Sequence, residues 1–198
     1  MQQHPQHIKR PHCSRCLSPL SRCICSLCPE NLTLDFPIII FQHPDEEHHY
    51  LNTVKILKLS FKNIRVIVTE HPKESDLDNS IQWYLLFPDE HAQSLQQAQN
   101  NSVLKPFGLI ILDGTWKKTK KLIFENMFLQ TVPRLSLQHH YESIYELRKC
   151  DRKNFLSTLE AFSYLLIENH QTKLGEELID RMKHMIQEQK KRFQEPTE

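Results

Sequence analysis

The chain has 198 residues (23.6 kDa), 25 Lys+Arg against 24 Asp+Glu, 39% hydrophobic residues and a mean hydropathy of −0.53. This suits one domain, or one domain with a small appendage, with enough apolar content for a core and too much polarity for a membrane protein. The net charge of +1 provides no global field for a nucleic acid, so such a partner has to be met by a local patch.

No apolar run approaches the roughly 20 residues of a bilayer span. The opening MQQHPQHIKRPH lacks the apolar stretch of an export signal, so a cytoplasmic location is expected. The three glycines, Gly108, Gly114 and Gly175, exclude both the G-x-G-x-x-G nucleotide turn and the P-loop. A nucleotide-like cofactor would have to be held by loops of other composition.

In chain order, the first feature is a cysteine-rich stretch, with Cys13, Cys16, Cys23, Cys25 and Cys28 close together and Cys150 apart. Without an export signal, disulfides are disfavoured, whereas C-x-x-C followed by C-x-C suits tetrahedral zinc held by thiolates. A metal would also give this segment a fold that apolar burial alone could not. The expected ligands are Cys13, Cys16, Cys23 and Cys25, with Cys28 as a substitute; reduced thiols in a flexible tail, or a redox pair, are the alternatives. Residues 1–33 are read as this zinc-binding segment and 34–198 as the main domain. Arg10, Arg15 and Arg22 interleave with the cysteines on the outside of the knob, as phosphate contacts or as solvated charges.

Beyond Phe36, apolar runs at 37–41, 64–69, 81–87 and 108–113, and a weaker one at 132–137, read as strands. Their near-continuous Ile/Val/Leu content suits strands covered on both faces, as in a mostly parallel sheet. Helical crossovers are predicted over 48–60, 89–101 and 115–127, and two amphipathic helices over 155–170 and 174–193. The fold class is α/β, a mostly parallel sheet with flanking helices. In such sheets the ligand lies beyond the carboxyl ends of the strands. That draws attention to residues 42–46, Pro88-Asp89, residues 113–116 and the segment after Leu137.

LDGTW at 112–116 directly after a buried strand, the C-x-x-C…C-x-C segment, QHPDE followed by Asn52-Thr53, and YELRK…LSTLEA at 145–161 together resemble the DTW-domain family. The resemblance covers essentially the whole chain, in order. It implies a tRNA-uridine aminocarboxypropyltransferase with a SPOUT-like, knotted domain that binds S-adenosyl-L-methionine (SAM). Such enzymes transfer the 3-amino-3-carboxypropyl group to uridine N3, making acp3U and 5′-methylthioadenosine. Two features depart from the family pattern: the loop after the third strand reads FPDE where many relatives have FPS, and Cys28 is additional to the usual four.

What the resemblance implies can be set beside elementary chemistry. Asp113, at the end of a buried strand, is the candidate base for the N3 proton, because burial favours the neutral carboxyl that a base working near neutral pH must be able to form. Its alternative role is a turn or helix cap. The cofactor is expected against Leu86, Phe87, Pro88, Leu112, Gly114, Thr115, Trp116, Leu147, Ser157, Thr158 and Glu160. There Gly114 allows a close approach or a positive φ, Trp116 offers a flat wall or a core contact, and Ser157, Thr158 and Glu160 either meet the cofactor's polar end or cap a helix.

His43, Glu46, Asn52, Thr53, Lys117, Lys118, Lys121, Arg148 and Arg152 are the expected contacts to the uridine and the RNA, the cations through phosphates. A solvated face is the alternative for the lysines, and a salt bridge to Glu142 or Glu146 for Arg148. A catalytic metal on His43, His48 and His49 is not expected from their spacing. The partner is thus tRNA, with the protein a monomer and zinc structural. A SPOUT-like RNA methyltransferase and a non-catalytic zinc-ribbon RNA-binding protein are the competing readings.

Overall fold

The computed structural model describes residues 11–16, 18–28, 31–47, 49, 52–144 and 155–194, of which residue 22 and residues 191–194 are described by their backbone. Its centre is a parallel sheet of β1 (Ile38–Gln42), β2 (Ile64–Val68), β3 (Gln82–Leu86), β4 (Phe107–Asp113) and β5 (Arg134–Leu135), in the order β2-β1-β4-β3-β5. Every residue of β1 and β4 is buried, which explains why these two runs lack polar alternation. β5 is shorter than predicted. It lies at the sheet edge and follows Pro133, which has no N–H to give to a ladder.

Side chains of the strands divide by parity between two cores. Ile38, Ile40, Leu109 and Ile111 pack with α2 (Val54–Ser60), α3 (Leu95–Asn101), α6 (Thr158–Glu168) and α7 (Thr172–Gln194). Ile39, Phe41, Ile110 and Leu112 pack on the other face with Leu122 of α4 (Trp116–Glu125) and Leu129 of α5 (Met127–Thr131). The α/β class with helices flanking a parallel sheet is as predicted.

The helices begin where local chemistry permits. The expected helix over 48–60 starts only at Val54, preceded by the short α1 (Pro44–Glu47), because Asn52 turns its amide back to the carbonyl oxygens of Glu46 and Glu47. Ser94 caps α3 through a capping box with Gln97, and Ser157 caps α6 through one with Glu160. Thr115, not Asp113, caps α4. Among the described residues no helix is long and apolar enough to cross a membrane.

The cysteine segment is fastened to the main domain. Arg15 donates to the carbonyls of Cys25 and Leu59, and Arg181 of α7 donates to the carbonyl of Leu27. Arg15 is therefore not the outward-facing phosphate contact the sequence suggested.

Candidate functional site

Connections from β1 and β4 leave the sheet in opposite directions, toward β2 and toward β5, so the crevice between their carboxyl ends is a topological switch point. The parallel register places Gln42 beside Asp113 there. Gln42 Nε2 donates to Asp113 Oδ2 at 2.8 Å and lies 3.4 Å from Asn52 Oδ1. Thr158, the first residue of α6, donates its hydroxyl to Asp113 Oδ1 at 2.5 Å. The carboxylate, in a residue 5% exposed, thus joins β1, β4 and α6.

Above this junction opens a cleft of about 1000 Å³. It is lined by Leu86 at the end of β3 with Phe87 and Pro88 after it, by Leu112 near the end of β4 with Gly114, Thr115, Trp116, Lys117 and Lys118 after it, and by Ser157 and Thr158 at the start of α6. Glu46 of α1 lines it too. The sequence reading named all of these. Trp116 is both a wall and a packing element: its ring lies 5.2 Å from that of Phe87 and 4.8 Å from that of Phe155. Gly114 does not use a positive φ; a Cβ there would come within 3.3 Å of Lys118 Cβ, so its value lies in close packing.

Several expected contacts stand elsewhere. Asp113 is not on the cleft surface but directly beneath it, behind Thr158. Glu160 is fully buried, and its carboxylate accepts from Ser143 Oγ and from the backbone N–H groups of Ile144 and Ser157. That is a structural anchor, in a residue expected to face the cofactor. Lys118 reaches Asp45 at 3.0 Å and Glu46 at 3.1 Å. Despite partial burial, these carboxylates hold its pKa above the ordinary lysine value.

Asn52 is consumed by the Gln42 network and Thr53 is buried at the start of α2. His43 lies between Asp45 and Glu70, and Lys121 lies 3.7 Å from Glu125. Leu147, Arg148 and Arg152 lie outside the described residues, as do His48, Glu146, Cys150 and Arg10.

For the remaining wall the sequence pointed to the segment after Leu137 but named no residue within it. Ser136, Leu137, His139, His140 and Tyr141 line the cleft together with Phe155 and Leu156. Tyr141 stacks on Tyr164 of α6 at 3.9 Å between ring centroids. Burial, the nearby Glu168 carboxylate and Tyr164 raise the Tyr141 pKa. The only signal for this stretch was its place after the last strand.

At the other end of the molecule the Sγ atoms of Cys13, Cys16, Cys23 and Cys25 lie within 4.8 Å of one another. Two pairs, Cys13–Cys25 and Cys16–Cys23, are 3.6 and 3.8 Å apart. A tetrahedron with metal–sulfur bonds of about 2.3 Å has edges of about 3.8 Å, so this cluster is compatible with a zinc-sized cation. Burial opposes the Cys16 thiolate, but hydrogen bonds from the backbone of Ile24 and Ser18 bring its pKa down to about 6. Burial and the three neighbouring sulfurs push Cys25 up to about 12. Cys28 is not part of the cluster: it is buried in the main core, donates to the Ile24 carbonyl, and burial pushes it up to about 11.

The model of the DTW domain matches residues 10–190. The chain belongs to the DTW domain family. Among curated proteins, this DTW protein is 30% identical over 167 residues to tRNA-uridine aminocarboxypropyltransferase 2 of Macaca fascicularis, covering 80% of the chain and 56% of that protein. It is 28% identical to the enzyme of the same name from Mus musculus, with the same coverage. With tRNA-uridine aminocarboxypropyltransferase A of Arabidopsis thaliana it shares 27% identity over 136 residues, 59% of the chain and 52% of that protein. The DTW chain thus spans little more than half the length of the first two relatives. No solved structure matches it.

Proposed function

We propose that this DTW protein transfers the 3-amino-3-carboxypropyl group of SAM to N3 of a tRNA uridine, releasing 5′-methylthioadenosine. The observation that carries the reading is the cleft at the β1/β4 switch point, walled by Phe87, Trp116 and Phe155, with a buried carboxylate beneath its floor. The names of its curated relatives support the same chemistry. The cleft has the volume for a nucleoside-sized ligand together with a target base. Its aromatic faces suit a sulfonium by cation–π attraction, and Glu46 offers a carboxylate to an ammonium at the mouth.

Which of three carbons on the sulfonium reacts is a matter of which one faces N3, so rigid walls decide the product. In the transfer an N3–C bond forms, the C–S bond breaks with its electron pair left on sulfur, and the N3 proton must leave. Thr158 gives its only hydroxyl hydrogen to Asp113, which leaves its oxygen lone pairs to accept from the cleft. The N3 proton passes to Thr158 Oγ1 as the threonine proton passes to Asp113. Asp113 therefore serves as the base through Thr158 rather than by direct contact.

Support for a SPOUT-like, knotted arrangement is that Ser136, Leu137 and residues 139–141 after β5 line the cleft and that α6 begins beside Asp113. The four clustered sulfurs support a structural zinc that orders the amino-terminal segment.

Mass analysis of nucleosides from unmodified tRNA, incubated with the protein and SAM, tests the reaction. We expect acp3U together with 5′-methylthioadenosine. A methylated nucleoside with S-adenosylhomocysteine would replace this reading with methyl transfer, and tRNA binding without SAM consumption would replace it with an RNA-binding module.

A further inference from the structure

The outer face of α4 carries a feature that the chemistry above leaves unused. At 100° per residue, Lys117, Lys120, Lys121 and Phe124 fall within an arc of about 100°, forming one stripe. Phe124 is 82% exposed, and Met127, which opens α5 beyond it, is 80% exposed. Large apolar side chains in full solvent at the end of a lysine row call for a partner.

The stripe starts at the cleft, since Lys117 lines it, and runs roughly 10 Å along the helix axis to Phe124. Lys121 lies 3.7 Å from Glu125 in a surface pair that contributes little. Two apolar side chains are far too few for a stable protein interface of about 800 Å² per partner. One aromatic face flanked by cations is what a single unpaired base and its phosphates require.

We propose that this stripe receives the single-stranded RNA next to the target uridine, with Phe124 stacking on a flanking base while Lys117, Lys120 and Lys121 meet phosphates. The inference rests on the tRNA reading above and identifies the surface that would hold the substrate outside the cleft. Stacking is tolerant of sequence, so Phe124 adds affinity and register rather than a choice of base.

The test is binding of unmodified tRNA across a salt series, with SAM binding as the check that each variant is folded. Phe124→Ala is expected to weaken binding about tenfold at every salt concentration without changing the salt dependence, and Phe124→Trp to restore it. Lys120→Gln with Lys121→Gln should instead flatten the plot of log K against log salt by one to two units of slope. Parent-like tRNA binding by Phe124→Ala overturns the stripe and leaves the tRNA reading standing. Absence of tRNA binding by the parent removes both. A parent dimer that Phe124→Ala dissociates, with tRNA binding unaltered, makes this a protein contact and overturns the proposal as well.

Discussion

Asp113 shows how a residue identified by its sequence context can acquire a different geometry in three dimensions. Its two oxygens are engaged by Gln42 and Thr158, yet a carboxylate has about four lone-pair positions, so capacity to take a proton remains. Asp113→Asn keeps the volume, and with its amide oxygen toward Gln42 Nε2 its NH2 group donates to the Thr158 hydroxyl oxygen, so the Gln42–Asn52 contact is kept. We therefore expect SAM binding to persist while single-turnover transfer falls by about 10²–10⁴-fold. Thr158→Val should lose transfer alongside it and Thr158→Ser should keep most of it. Substituting 5-fluorouridine, whose N3 proton is more acidic, should rescue the valine variant more than the parent. Equal rescue of both would remove Thr158 from the proton path.

The residue types of this network were readable, but not its connectivity. Asp113 and the Gln42 segment were singled out as strand-end positions, whereas their pairing depends on β1 and β4 being neighbours in one register. Lys118 illustrates the opposite failure. Its position in a lysine run suggests a phosphate contact, and only the approach of α1 shows that two carboxylates already surround it.

At the scale of elements, the two carboxy-terminal helices depend on a glycine. A Cβ on Gly175 would lie 2.6 Å from the Ser163 carbonyl oxygen and 2.5 Å from Ile167 Cγ1. Alanine gains up to ~1 kcal/mol of helix propensity, but separating α6 from α7 costs more, because the blocking atom belongs to rigid backbone. Gly175→Ala should be destabilising by about 1–2 kcal/mol net, seen as a fall in Tm of roughly 2–8 °C. Glu160→Ala should cost about 3 kcal/mol, since it strands the buried Ser157 N–H and removes the acceptor of the Ile144 N–H. Urea unfolding with an unchanged m-value would measure it.

The strands were easy to read because burial on both faces removes polar residues from their sequences, as in IIIF and GLIIL. The helix preceding β2 was overextended, since the amide of Asn52, which ends α1's turn, looks like any polar helix residue in sequence. The wall at 136–141 has no periodicity at all. It is held by side chains from α6, more than sixteen positions away, and no local pattern announces such contacts.

For the whole molecule, the cysteine cluster sits in a segment fastened through Arg15 to α2 and through Leu27 to α7. A metal must displace the Cys25 proton, because that thiol is pushed up to about 12, and Cys16 is ionised only above about 6. The Cys23 thiol is raised as well, so its proton must also leave; zinc affinity should therefore fall as pH falls, and more steeply below pH 6, where Cys16 adds a further proton to be expelled. Competition with a chromophoric chelator across pH measures this slope. Chelation at neutral pH should lower Tm by several degrees, whereas Cys13→Ser with Cys16→Ser should be insensitive to chelator.

The cleft wall that lacks regular structure is pinned to one helix. The amides of Gln138 and His139 in the wall donate to Glu168, and that of Ile144 just past it to Glu160, so the stretch hangs from two carboxylates of α6. Its deuterium uptake should then resemble that of a helix rather than that of a loop. These three amides are expected to exchange late and together with those of α6, because one cooperative opening frees them all.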